Sequence, residues 1–192
     1  GVYDFTITGN TIESDTDNLA GTIERGDKAE GIKFTINEGV QNGTTNLTAV
    51  IENNDIQTRI GDGSEFAVNE LAADGVVFDA NITINNNRIV QTNDNPVGSE
   101  NKDPRDLIKA TFGEDGEGSI TTGTFTITNN TVTSAAGAGD AFNYESLSTS
   151  TSNIFKFKLE GNNFTAADDK DLKIIVPTGY LSISAPDGTT NF

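Results

Sequence analysis

Residues 82–89 read ITINNNRI. Ile82 and Ile84 alternate with Thr83 and Asn85, the period-two signature of a strand that buries one face. Asn86 and Asn87 interrupt the alternation, and it resumes at Ile89. Gly and Asn tolerate the left-handed backbone region, so a sharp corner between two short strands is expected at Asn86.

Working outward, the same eight-residue pattern (apolar, any, apolar, any, Gly or Asn, Asn, any, apolar) recurs at Phe5 to Ile12 (FTITGNTI), Ala49 to Ile56 (AVIENNDI), Phe125 to Val132 (FTITNNTV) and Phe157 to Phe164 (FKLEGNNF). Its fifth position, the αL corner, holds Gly9, Asn53, Asn86, Asn129 and Gly161. Its sixth is Asn in every copy: Asn10, Asn54, Asn87, Asn130 and Asn162. An amide both donates and accepts, so a column of identical neighbours about 4.8 Å apart can bond along its length. An inward Asn ladder is the expectation, with Asn87→Ala costing about 1 to 3 kcal/mol and Thr83→Ala far less.

A further short alternating strand follows each copy: Ile32 to Phe34, Phe66 to Val68, Ile108 to Ala110, Phe142 to Tyr144 and Leu172 to Ile174. Each repeat thus supplies three strands, two apolar faces and one amide corner, which is what a triangular solenoid needs. The coils fall at approximately 2-45, 46-76, 77-122, 123-153 and 154-192 of one domain. This pattern resembles the right-handed parallel β-helix (β-solenoid) family, pectate-lyase-like or autotransporter-passenger-like, with its I-x-x-N-x-I and G-I-x-F coils. The resemblance covers nearly the whole chain and implies an all-β fold of about five coils. It does not choose among the family's lyases, epimerases, phage tailspikes and autotransporter passengers.

Ladder positions are separated by 44, 33, 43 and 32 residues, so long and short coils alternate. A two-coil unit of about 76 residues has been duplicated. The difference lies in loops after the corner: Glu13 to Glu30 and Val90 to Asp106 are long, Gln57 to Ser64 and Thr133 to Asp140 short. Both long loops are expected on one side, as the variable or binding face. The first coil lacks a preceding strand, which suggests a segment of a longer protein, and Tyr180 to Ser184 (YLSIS) reads as a closing strand without the Asn corner.

Over 192 residues the net charge is -17, which disfavours nucleic acid and anionic lipid as partners. No apolar run approaches the roughly 20 residues of a transmembrane segment. Cys and His are both absent, closing off disulfides, thiol chemistry and the commonest general base. The lack of Cys, Met and Trp suits an extracellular or bacterial cell-surface setting.

Acidic loops at Asp15 and Asp17, at Asp94, and at Asp168, Asp169 and Asp171 are candidate Ca²⁺ ligands, since Ca²⁺ takes carboxylate and carbonyl oxygens. None completes an EF-hand loop or an RTX nonapeptide, and no cofactor is required by the fold. Lys33, Lys109 and Lys173 are expected to face outward on the second strand, without an evident cluster of carboxylates and Arg. Asn-x-Ser/Thr at Asn42, Asn46, Asn81, Asn129 and Asn163 follows from composition. The functional expectation is a non-enzymatic structural or adhesive segment that meets carbohydrate, a host or cell-surface protein, or its own copies end to end. The alternatives are a carbohydrate-active β-helix enzyme, a polysaccharide lyase or glycoside hydrolase, and a self-assembling fibre unit.

Overall fold

A computed structural model describes residues 2–13, 31–38, 44–58, 64–70, 77–91, 106–112, 120–134, 140–146, 149–167, 170–176 and 178–184. The described residues form strands, and no helix, in a repeating order. The first three strands are β1 (Val2–Thr8), β2 (Thr11–Glu13) and β3 (Ile32–Glu38). Next come β4 (Thr44–Glu52), β5 (Asp55–Thr58) and β6 (Ser64–Glu70), then β7 (Val77–Asn85), β8 (Arg88–Gln91) and β9 (Ile108–Phe112). They are followed by β10 (Ile120–Thr128), β11 (Thr131–Thr133) and β12 (Phe142–Ser146), then β13 (Ile154–Glu160), β14 (Asn163–Thr165) and β15 (Leu172–Ile175), and finally β16 (Tyr180–Ser184).

Each trio adds one strand to each of three sheets. The first sheet runs β1-β4-β7-β10-β13-β16, the second β14-β11-β8-β5-β2 and the third β15-β12-β9-β6-β3. All pairings are parallel. We refer to each trio as a rung. The eight-residue repeat is the hinge between the first two sheets, and the strands of the first sheet are longer than the repeat alone indicates. β4 and β10 begin at Thr44 and Ile120, ahead of the boundaries that sequence places at 46 and 123.

Alternation decides which side is dry. In β4, Leu47, Ala49 and Ile51 are buried between exposed Asn46 and Thr48 and half-buried Val50. Residues of all three sheets meet in one core, for example Ile84 of the first, Ile89 of the second and Ile108 of the third. Sizes compensate between sheets. In the fourth rung Tyr144 of β12 lies edge-on to Phe125, with ring centroids 4.9 Å apart. Gly123 of β10 leaves the room: a Cβ there would stand 2.5 Å from Phe125 Cε2 and 3.1 Å from Phe155. Close packing of this kind makes each added methyl group felt.

β16 takes the position of a sixth rung in the first sheet, Tyr180 pairing with Ile154. The chain reaches it through Gly179, whose φ of 103° suits glycine. A Cβ at Gly179 would lie 2.5 Å from the Asn153 carbonyl oxygen, which accepts the Tyr180 N–H at 2.7 Å.

Candidate functional site

The hinge residues adopt the left-handed region in every rung: φ is 69° at Gly9, 57° at Asn53, 52° at Asn86, 57° at Asn129 and 65° at Gly161. This turn brings the following Asn into line with its counterparts. Asn10 Nδ2 donates to Asn54 Oδ1 at 3.1 Å, Asn54 Nδ2 to Asn87 Oδ1 at 3.0 Å, Asn87 Nδ2 to Asn130 Oδ1 at 3.0 Å and Asn130 Nδ2 to Asn162 Oδ1 at 3.0 Å.

Two further bonds complete each interior amide. Its Oδ1 also accepts the backbone N–H of the Asn one rung earlier, as Asn87 Oδ1 does from Asn54 at 3.0 Å. Its Nδ2 also donates to a backbone carbonyl of that earlier rung: Ile7 for Asn54, Ile51 for Asn87 and Ile84 for Asn130. An Asn side chain offers two N–H donors and two acceptor lone pairs. Asn54, Asn87 and Asn130 therefore use all four while buried, so their desolvation is compensated. Asn10, at the end of the column among the described residues, is exposed while its side chain still donates along the column to Asn54.

A second polar column, not singled out in the sequence, precedes the third sheet. Asp106 Oδ1 accepts the Asp140 N–H at 2.9 Å, and Asp140 Oδ1 accepts the Lys170 N–H at 3.1 Å. Their other oxygens reach the next rung's outward side chains: Asn143 Nδ2 lies 2.7 Å from Asp106 Oδ2 and Lys173 Nζ 3.5 Å from Asp140 Oδ2. Asp140 is buried, with 4% of its side chain exposed, whereas Lys173 is one-third exposed. Lys173 thus faces one carboxylate, that of Asp140, with no Arg placed beside it by these contacts. The signal was the shared spacing of Asp106-Leu107-Ile108-Lys109 and Asp140-Ala141-Phe142-Asn143.

Of the candidate calcium ligands, Asp15, Asp17, Asp94, Asp168 and Asp169 lie outside the described residues. Asp171 Oδ1 accepts the Ala166 N–H at 2.5 Å, just ahead of β15. Among the described residues no group of three or more Asp, Glu, His or Cys is placed to hold a metal ion. No described helix is long and apolar enough to cross a membrane. Burial pushes the Tyr144 phenol well above its ordinary range. Comparison with protein-family models, with curated proteins and with solved structures found no match.

Proposed function

We propose that the chain is a right-handed parallel β-helix of about five coils, serving as a non-enzymatic structural or adhesive segment of an extracellular or bacterial cell-surface protein. Stalk, adhesin passenger and filament subunit are the roles this reading covers. The observation that carries it is the four-bond saturation of Asn54, Asn87 and Asn130 inside the stack. Such a column fixes the register of consecutive rungs and opposes sliding between them, which suits a load-bearing rod. The Asp106 and Asp140 carboxylates also tie one rung to the next. Binding to carbohydrate or to a cell-surface protein would then fall to the loops and the flat sheet faces.

The test is incubation with a panel of acidic and neutral polysaccharides. Retention with unchanged polymer length supports the reading. Shortened or unsaturated products overturn it.

A second reading, a carbohydrate-active enzyme, is favoured by the half-buried Asp106 carboxylate ahead of the third sheet, with Asp140 and Lys173 following on the next two rungs. Acid and base roles need carboxylates at a substrate-accessible surface. If cleavage is found, Asp106→Asn should abolish it while the far-ultraviolet spectrum is kept, because Asp106 is half-buried whereas Asp140 is buried.

A further inference from the structure

The outer face of the first sheet carries an ordered set of exposed side chains. In register, Asp4, Thr48, Asn81, Thr124 and Lys156 form one column across β1, β4, β7, β10 and β13, and every member is exposed. The column is acidic at β1, uncharged through its middle and basic at β13. In the column beside it, Val2 on β1 and Ile154 on β13 are exposed apolar side chains.

The two charges of this column differ from those elsewhere on the stack. Arg88 pairs with Asp55 at 2.6 Å, Lys158 with Glu160 at 2.6 Å and Lys173 with Asp140 at 3.5 Å. Among the described residues neither Asp4 nor Lys156 has an ion-pair partner. Four strand spacings, about 19 Å, hold them apart within one chain. A second copy turned end for end brings them together. With a two-fold axis lying along β7, Asp4 of each copy meets Lys156 of the other, Thr48 meets Thr124, and Val2 meets Ile154. Two copies running the same way would instead set Asp4 against Asp4 and Lys156 against Lys156, so charge selects the antiparallel arrangement.

We infer that two copies of this chain associate through the outer face of the first sheet, antiparallel and face to face, with Asp4 and Lys156 paired twice across the interface. The contact is isologous and closes at a dimer. Its side chains project from the face of the sheet and not from its edges, so rungs stacked beyond either edge leave the pairing unchanged. It is also independent of the role proposed above, since it needs only the register of the first sheet. Five strands about 4.8 Å apart, each of about seven residues at 3.3 Å, offer roughly 500 Å² per copy, or about 1,000 Å² in all. That lies at the lower limit of specific interfaces, and the half-buried Asp79 of β7 faces its own copy across the axis. Association is therefore weak and depends on concentration.

Charge exchange at two exposed positions tests this without touching the core. Sedimentation velocity over about a hundredfold range of concentration, in about 0.15 M salt to screen the overall negative charge, should show the unaltered chain passing from monomer to dimer and no further. Asp4→Lys and Lys156→Asp should each weaken the dimer more than about tenfold, because both contacts become repulsive. An equimolar mixture of the two variants restores both attractions and should dimerise again, as should the chain carrying both substitutions. A monomeric unaltered chain, growth past the dimer, or single variants that associate like the unaltered chain overturns the inference. So does a mixture that stays monomeric while both variants keep the far-ultraviolet spectrum of the unaltered chain; if either loses it, the doubly substituted chain decides, and its failure to dimerise overturns the inference as well.

Discussion

Replacing Asn87 by Ala removes the central amide of the column, and the structure lets the cost be worked bond by bond. Four hydrogen bonds vanish, between 2.9 and 3.0 Å in length. The Asn54 backbone N–H loses its acceptor inside the stack, and a buried orphan of that kind costs about 1 to 3 kcal/mol. Two partners are only partly deprived: Asn130 Oδ1 keeps the Asn87 N–H, and Asn54 Nδ2 keeps the Ile7 carbonyl. Counting the three remaining losses at roughly 0.5 to 1 kcal/mol each, the total comes to about 2.5 to 6 kcal/mol. That exceeds the figure expected from sequence, because the structure shows two bonds to backbone in addition to those along the column.

Asn10→Ala is the internal control. Its two side-chain bonds, both 3.1 Å, lie at the exposed end of the column, so the loss should stay below about 1 kcal/mol. Equilibrium urea unfolding, with an unchanged m-value as the check on comparability, measures both. Equal destabilisation by the two substitutions would refute the claim that burial of a saturated amide sets the scale.

Four other outcomes are expected. Gly179→Ala should destabilise by about 2 to 4 kcal/mol, since a Cβ meets the Asn153 carbonyl and the φ is unsuited to L-residues; a thermal melt within a degree or so of the unaltered chain would contradict this. Gly9→Asn should be nearly neutral by the same assay, because a Cβ there meets nothing within 4 Å and three other hinges already hold Asn at similar φ. The raised pKa of Tyr144 contributes stability that is complete below the unfolded value of about 10 and is lost as pH climbs through the folded value. Circular dichroism during alkaline titration should therefore show Tyr144→Phe keeping its β-structure to higher pH. Finally, if Ca²⁺ is held at Asp15 and Asp17, added calcium should raise the melting temperature and Asp15→Asn should remove the rise; the same rise in that variant would exclude those ligands.

The legibility of the chain followed the periodicity of its side chains. The Asn column could be read because the strand alternation, the left-handed hinge and the amide all repeat within eight residues, and the registers Ile7 with Ile51 and Ile12 with Ile56 carry the same spacing as Asn10 with Asn54. The Asp106 and Asp140 clamps were harder to read, since each joins residues of different rungs on a diagonal. Asn143 sits at an outward position yet is buried, which alternation alone does not anticipate. Gly123 resembles a turn residue locally, and only the neighbouring rings of Phe125, Tyr144 and Phe155 explain it.

The spacing between successive hinges varies from 44 to 32 residues, yet the pairing across them never shifts. In the rod proposed above, height is set by how many hinges it has, and the residue count affects only its girth. Insertions between the second and third sheets can therefore grow, shrink or diversify without retuning the axis. Natural variation has a safe place to act, and so would an engineer wishing to mount a peptide at a chosen height.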